Sequence, residues 1–215
     1  MTRSGLTLIE LLVVIVIIAL LVALLLPVVW NVRKRSHESV CISNLRQIYV
    51  AFDSYRQDYN QSPPADMVRL ASYVKEKALL RCPADVYPNG AGTSDTLGQV
   101  ETSYFYFLPS VSDYLSVLQS VDPHHGILVC VLHGKRISES LGPADMIFVG
   151  HVLRLSIEGS VQKKYAEMLC FEDADGNLSE MRHGWHLYSD VRPVPEAVLN
   201  LDPSLRGATI VPCGY

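Results

Sequence analysis

The sequence predicts an α+β fold in which one long N-terminal helix is followed by a small antiparallel sheet. The first observation is an apolar segment, Leu6 to Trp30, that holds a single acid. The second is the more polar stretch after it, whose apolar residues recur at helical spacing. The third is a series of short aromatic and β-branched runs beyond residue 100, which is typical of strands. A long N-terminal helix that packs on a small antiparallel sheet is an α+β fold.

The apolar segment is long enough to span a membrane. It contains 25 residues, and as a helix it would extend about 37 Å at 1.5 Å per residue. That length crosses a hydrocarbon core of ~30 Å with some tilt. A secretory signal has a shorter apolar region, about 7–15 residues, followed by a small-residue cleavage site. No such site precedes the basic cluster Arg33-Lys34-Arg35, so we expect the segment to be retained as an anchor.

The single acid in this segment is Glu10, which precedes sixteen apolar residues, Leu11 to Leu26. A charged side chain costs roughly 2.5–3.5 kcal/mol at the centre of a membrane helix and less near its end. Such residues are by default functional and have a partner. Glu10 is therefore the first candidate functional residue, and the alternative is a generic single-pass anchor with an incidental acid.

The run GLTLIELLVV, Gly5 to Val14, with Pro27 further on, resembles the N-terminus of type IV prepilins and type II secretion pseudopilins. The resemblance implies that a prepilin peptidase cuts between Gly5 and Leu6 and methylates the new amino group of Leu6. Leucine at this position replaces the phenylalanine that is commoner in the family. The resemblance also implies a pilin-like fold and assembly, rather than catalysis, as the activity.

Glu10 fits an assembly role. Cleavage would free an amino group at Leu6, four residues before Glu10. In a helical filament that amine could pair with Glu10 of a neighbouring subunit, so that two charges that are costly alone in the membrane neutralise each other. The partners that the resemblance implies are prepilin peptidase, other pilin or pseudopilin subunits, and an inner-membrane assembly platform.

The formal net charge is −4, and no basic block exists beyond residues 33–35, so nucleic acid is not an expected partner.

The basic cluster and the prepilin resemblance give opposite indications of membrane topology. By charge bias alone, those basic residues would keep their side of the membrane in the cytoplasm. The prepilin resemblance implies the reverse, with the five-residue leader inside. Following the resemblance, we expect a single-pass protein of the inner membrane with an extracytoplasmic domain.

The helix is expected to continue beyond the membrane. An apolar stripe follows with spacings of 4, 3, 4, 3 and 4 residues, and we expect it to pack on the sheet. Its members are Cys41, Leu45, Ile48, Phe52, Tyr55 and Tyr59. The predicted helix runs from Leu6 to Tyr59 and ends before the prolines of residues 60–64, and Pro27 would kink it.

Four regions are therefore predicted along the chain. They are a leader peptide (1–5), a transmembrane and assembly helix (6–30), its amphipathic continuation (31–60) and a globular head (61–215). Within the head we expect a short helix from Met67, strands at 103–108 and 127–132, and a β-hairpin over 152–162 that turns at Glu158-Gly159.

Two short motifs narrow the resemblance to a subgroup of pilin-like proteins. The subgroup has C-x-x-N-L-R-Q, here residues 41–47, followed by C-P-A-D, here residues 82–85. Its C-terminal pattern places His-Gly before a strand that ends Asp-Gly-His-Val. Here His133-Gly134 is followed at a longer distance by Glu-Gly-Ser-Val, a degenerate form. The motifs name the subgroup without giving it an activity.

The chain has five cysteines, an odd number that leaves at least one outside any intrachain disulfide. An exported domain permits disulfides, and the candidate pairs are Cys41 with Cys82 and Cys130 with Cys170. Spacing does not choose between them, and buried thiols that pack as small apolar groups are an equal alternative. No C-x-x-C pair is present, which argues against a structural zinc site.

Catalytic and metal-binding patterns are sparse. His183 and His186 could hold a metal, but further ligands are not identifiable. Asp173 and Asp175 are candidate calcium ligands in a loop that does not match an EF-hand, because its glycine is fourth rather than sixth. No nucleophile elbow, P-loop or dinucleotide motif appears. We expect a non-enzymatic subunit without cofactors; the alternatives are an anchored exported binding protein that does not polymerise and, less favoured, an enzymatic head.

Overall fold

The computed structural model describes residues 8–87, 100–106, 114–136, 148–166, 169–172, 178–180, 185–191, 193–201, 203 and 209–212 of the 215-residue chain. The chain divides into two compact units, Met1–His37 and Glu38–Tyr215. The first described element is helix α1, Leu8–Asp58, whose apolar N-terminal part belongs to the first unit. The predicted long N-terminal helix is therefore confirmed from Leu8 to Asp58.

The membrane segment of α1, residues 8–30, exposes apolar side chains all round. Among the described residues, α1 is the one helix long and apolar enough to cross a membrane, and the side chains of its most apolar window are exposed. Pro27 lies inside the continuous helix. A helix that is apolar on every face requires lipid or other helices around it.

The helix ends through backbone conformation, not through the prolines alone. Asn60 and Gln61 have positive φ angles of 51° and 67°, and the Gln61 N–H donates to the Arg56 carbonyl at 2.7 Å. Left-handed residues at a helix end satisfy the last carbonyls in this way. The helix therefore stops at Asp58, one residue before the predicted end.

The docking stripe of α1 is largely confirmed. Leu45, Ile48 and Phe52 are completely buried, and they share one core cluster with residues of the sheet. Tyr59 was wrongly included, because the helix has ended there and the side chain is 51% exposed. It stacks on Tyr55 at the edge of the core, with ring centroids 4.3 Å apart.

In the part of the chain that the structure describes, four short helices and one 3₁₀ turn follow α1. The predicted helix from Met67 is confirmed, and the Asp66 carboxylate caps it by accepting from the Arg69 N–H at 2.8 Å. The bounds are α2, Met67–Tyr73; a 3₁₀ turn, Lys77–Leu80; α3, Tyr114–Val121; α4, Trp185–Tyr188; and α5, Glu196–Leu201.

The described strands form two antiparallel sheets, which confirms the α+β, pilin-like layout. The larger sheet has the order β1-β2-β4-β3, and β5 also pairs with β4. The smaller sheet has the order β7-β6-β8. The bounds are β1, Phe105–Tyr106; β2, Gly126–Cys130; β3, Lys135–Arg136; β4, Phe148–Ser156; β5, Val161–Ala166; β6, Leu169–Glu172; β7, Leu178–Glu180; and β8, Thr209–Pro212.

The predicted hairpin is β4 and β5, and Gly159 supplies the positive φ of 84° that its turn requires. Residues 152–157 of this hairpin are all buried, because α1 and its neighbours cover one face of the strand while a smaller cluster with Val129 and Tyr188 covers the other. Arg154, a buried cation, lies on β4 among them.

Candidate functional site

The processing residues Gly5 and Leu6 lie outside the described residues. Glu10 lies in the first described turn of α1, and its side chain is exposed on an otherwise apolar helix surface. Exposed leucines precede and follow it at positions 8 and 11. The structure thus presents one carboxylate at the N-terminal end of an apolar cylinder.

A second candidate site lies in the head, where three cysteines and a histidine meet. We call Cys41, Cys82, Cys130 and His133 the thiol cluster. One ligand atom from each residue lies within 4.8 Å of those of the other three, and Cys82 Sγ is 3.4 Å from His133 Nε2. The three cysteines are buried and the histidine is half-buried.

Four separate pieces of local structure position these side chains. Cys41 belongs to the docking stripe of α1, and Cys130 is the last residue of β2. His133 follows in a tight turn, which the Gly134 N–H closes by donating to the Val131 carbonyl at 3.1 Å. Cys82 follows the 3₁₀ turn, on a loop that enters the core.

The Cys82 loop is fixed by hydrogen bonds that do not use its sulfur. The Cys82 N–H donates to Ser103 Oγ at 2.9 Å, and the Ser103 hydroxyl donates in turn to the Asp85 carboxylate. The Asp85 N–H donates to the Cys82 carbonyl at 2.9 Å, which closes the loop. From α1, the Asn44 amide donates to the Arg81 carbonyl at 3.0 Å. The loop is therefore tied to both the helix and the start of the sheet.

The three thiols interact strongly with one another. Hydrogen bonds from the Cys130 and Cys41 thiols lower the pKa of Cys82 far below its usual range, and His133 and the Ala84 N–H add to this against the effect of burial. Burial raises the pKa of Cys130. For Cys41, the Cys130 thiol lowers the pKa, but the contact with Cys82 and burial raise it more.

Neither candidate disulfide is present, because Cys41, Cys82 and Cys130 are free cysteines. The three sulfur atoms lie within 4.8 Å of one another. Cys130 therefore lies beside Cys41 and Cys82, whereas the candidate pairs had placed it with Cys170. The cluster contains no C-x-x-C pair, and its two ligands that lie close together in the sequence are a cysteine and a histidine, Cys130-x-x-His133. The other two cysteines are more than forty residues away from each other and from that pair.

A Ser-Asp-His group occurs in the head, but its order is not that of a hydrolase. The Ser189 hydroxyl donates to Asp122 rather than to a histidine, and His125 Nδ1 lies 3.8 Å from that same carboxylate. Ser189 and His125 are completely buried. A nucleophile needs its base within hydrogen-bond reach and access to a substrate, so we interpret this group as structural.

The other predicted metal ligands lie outside the described residues. These are the calcium candidates Asp173 and Asp175, together with His183 and the side chain of His186. The calcium hypothesis therefore stays a prediction.

Comparison with known proteins agrees with the N-terminal features. Residues 1–26 match the model of the prokaryotic N-terminal methylation motif. No curated protein and no solved structure matches the chain. The long apolar helix and this motif indicate a membrane-anchored, single-pass protein. The chain thus carries the prepilin-type cleavage and methylation signature at its N-terminus.

Proposed function

We propose that this chain is a structural subunit that assembles into a type IV pilus or a type II secretion pseudopilus after processing by prepilin peptidase. The observation that carries the proposal is the methylation motif at residues 1–26, which continues into an apolar helix exposed on all sides. Lipid covers such a surface in the membrane, and the same helices of other subunits would cover it in a filament. In this role the chain is the substrate of an enzyme and not itself an enzyme.

Processing creates the assembly contact. The peptidase cuts between Gly5 and Leu6 and methylates the amine of Leu6, which is the positive partner. Glu10 of a neighbouring subunit is the negative partner, and the pair sets the register of one helix against the next. The other partners are further pilin or pseudopilin subunits and the inner-membrane assembly platform.

Processing is tested by mass spectrometry of the protein extracted from cells with an active prepilin peptidase. We expect a chain that begins at N-methylated Leu6. Gly5→Val should block cleavage, because a β-branched side chain would crowd a site that accepts glycine. The matched substitution Thr2→Val, three residues away, should leave cleavage intact. A terminus at Met1 or Thr2 in the wild-type protein would contradict the proposal.

Assembly is tested by crosslinking membrane-embedded subunits. Glu10→Val should insert in the membrane and be cleaved, since a charge has been removed from the apolar run and the peptidase site is unchanged. Its crosslinked ladder should be lost or altered, because the neighbour's amine has no carboxylate to pair with. Glu10→Asp keeps the charge and should retain the ladder in part. Equal ladders in wild type and Glu10→Val would instead favour an anchored exported binding protein that does not polymerise.

The head is proposed to lie on the extracytoplasmic side of the inner membrane. Protease added to spheroplasts should then digest residues beyond the anchor and leave an N-terminal membrane fragment. The basic cluster at residues 33–35 favours the opposite orientation by charge alone. Protection of the whole head in intact spheroplasts would show that this charge bias prevails.

A further inference from the structure

The thiol cluster has no part in the proposed assembly, and it is not explained by disulfides. Each disulfide uses two sulfurs, so one of the three would remain as a thiol among the others. An imidazole nitrogen 3.4 Å from one of these sulfurs adds a further ligand of the kind that thiophilic metals accept. We propose that Cys41, Cys82, Cys130 and His133 bind one zinc ion, which fastens helix α1 to the sheet of the head.

The spacing of the four atoms suits a tetrahedral zinc ion. With Zn–S near 2.3 Å and Zn–N near 2.0–2.1 Å, the ligand atoms of such a site lie about 3.4–3.8 Å apart. The Cys82 sulfur and the His133 nitrogen are already 3.4 Å apart, and no pair in the cluster exceeds 4.8 Å. The sulfurs would therefore move inward by an ångström or less.

The number and kind of the ligands favour a structural site over a catalytic one. Three sulfurs and one nitrogen complete a four-coordinate shell, whereas a catalytic zinc keeps one position open for water. Cys41 and Cys130 have no exposed surface, and Cys82 has 3%. Most iron–sulfur clusters are held by four thiolates, and calcium and magnesium prefer oxygen ligands. Zinc is therefore the metal that this ligand set suits best.

Outer contacts already orient the sulfurs. The Tyr104 hydroxyl lies 3.7 Å from Cys41 Sγ. In the free thiol Cys41 donates to this hydroxyl, and with a bound metal the hydroxyl would donate to the thiolate instead. Hydrogen bonds of this kind, made to a ligand by a residue that does not bind the metal, hold ligands in place in metal sites. The peptide loop around Cys82 is also fixed by Ser103, so little rearrangement is needed to receive the ion.

The ligands explain what the ion would stabilise. They come from α1, from the loop after the 3₁₀ turn, from the end of β2, and from the turn that follows β2. One ion would therefore join three segments that are distant in the sequence. Binding replaces three thiol protons by one Zn²⁺ and leaves a single negative charge, so affinity should fall as pH falls.

The full-length protein, solubilised in detergent, reduced and freed of metal, tests the site by titration with Zn²⁺ and, separately, with Co²⁺. We expect one equivalent of Zn²⁺ per chain, a higher melting temperature, and the visible bands of tetrahedral thiolate-bound Co²⁺. Bound zinc should also abolish alkylation of Cys41, Cys82 and Cys130, measured by peptide mass spectrometry. Cys170 and Cys213 are internal references, whose alkylation should not depend on zinc.

Variants at His133 avoid the loss of folding that a change at a buried cysteine could cause. His133→Ala should lose the stoichiometric zinc, and His133→Cys should restore it with stronger sulfur-to-cobalt absorption. His151→Ala, which removes an exposed histidine of β4, is the matched control and should bind as wild type does. Tyr104→Phe should bind zinc about 10–100-fold more weakly, as is typical when an outer contact is removed.

Three results would overturn the assignment. The first is the absence of stoichiometric metal uptake by reduced protein whose near-UV circular dichroism shows a folded head. The second is an identical Co²⁺ spectrum for wild type and His133→Ala. The third is a disulfide between any two of the three cysteines in protein whose thiols were trapped in acid directly from cells.

Discussion

Two segments of helix α1 differ in how their apolar side chains are covered. In the membrane segment, residues 8–30, nearly every side chain is apolar and exposed, whereas in the more polar residues 41–55 most apolar side chains form one buried stripe. Apart from Glu10, the first segment needs mainly sufficient length and apolarity where lipid surrounds it, because lipid does not discriminate among aliphatic shapes. The second packs against specific partners in the head at close-packed density. A helix can therefore be continuous in backbone while the demands on its side chains change along its length.

The largest effect that would test this comparison is expected at Phe52, which is completely buried. Phe52→Ala should reduce the free energy of unfolding of the head by roughly 3–5 kcal/mol, because it leaves a cavity in the core. Leu21→Ala, in the membrane segment and 56% exposed, should change it by less than about 0.5 kcal/mol. Denaturation of both variants in detergent, followed by near-UV circular dichroism, measures the difference. Similar values for the two would contradict the comparison.

A second test uses a titratable group inside the head. Burial, assisted by the nearby Arg154 cation, lowers the pKa of His125 to about 3, although the Asp122 carboxylate lies 3.8 Å away. The ring packs on Trp185 with centroids 4.9 Å apart, and among the described residues neither ring nitrogen has a hydrogen-bond partner. Asp122 is already occupied by the Ser189 hydroxyl. We therefore take burial as the dominant cause.

The sign of the pH effect follows from this shift. The unfolded chain takes up a proton at His125 near pH 6.5 and the folded head only near pH 3, so stability is complete above pH 6.5 and falls as pH falls toward 3. The loss should amount to a few kcal/mol, since one pKa unit corresponds to about 1.4 kcal/mol. His125→Phe should flatten the slope of stability against pH, and the exposed His124→Ala should not. Parallel slopes for wild type and His125→Phe would remove His125 from the acid response.

The features that could be predicted from the sequence are those in which residue types recur at a regular spacing along a short segment. The features that could not be predicted depend on contacts between residues that are far apart in the sequence. The docking stripe and the β4–β5 hairpin were recognised because neighbouring residues carry the signal. The burial of Arg154 was not, since its partners are the Leu187 carbonyl at 2.8 Å and the Asp190 carboxylate at 3.1 Å, more than thirty residues away. The thiol cluster was missed for the same reason, because tertiary structure brings Cys41 and Cys82 to Cys130.

A smaller effect is expected where α1 meets the β4–β5 turn. Gly159 has a φ of +84°, and a Cβ built on it would lie 2.4 Å from a ring carbon of Tyr49. Gly159→Ala should therefore cost about 1–3 kcal/mol, from overpacking against Tyr49 and from the left-handed backbone.

Two further variants separate the steric and backbone causes. In a Tyr49→Ala background, Gly159→Ala should no longer have the stability cost of overpacking against the ring, but it should keep the cost of the left-handed backbone. Gly159→Asn, which tolerates the left-handed region better, should show mainly the steric part. Urea denaturation of the set gives the two contributions. An equal cost for Gly159→Ala with and without the Tyr49 ring would show that this ring is not fitted to the turn.

The smallest effect is expected at the first residue of the head unit, where charge rather than shape connects α1 to the sheet. The Lys163 ammonium of β5 lies 2.8 Å from the Glu38 carboxylate, and their side chains are 43% and 22% exposed. Water and salt screen such a pair, so a double-mutant cycle with Glu38→Gln and Lys163→Met should give a coupling of about 0.2–1 kcal/mol. The coupling should shrink further in 1 M salt, where the screening length is about 3 Å. Asp190→Asn is a contrasting case, since it removes a carboxylate from the buried Arg154, and it should cost more than either change in the cycle. A Glu38–Lys163 coupling above about 2 kcal/mol would mean that this ion pair, and not only the apolar stripe, holds the head segment of α1 to the sheet.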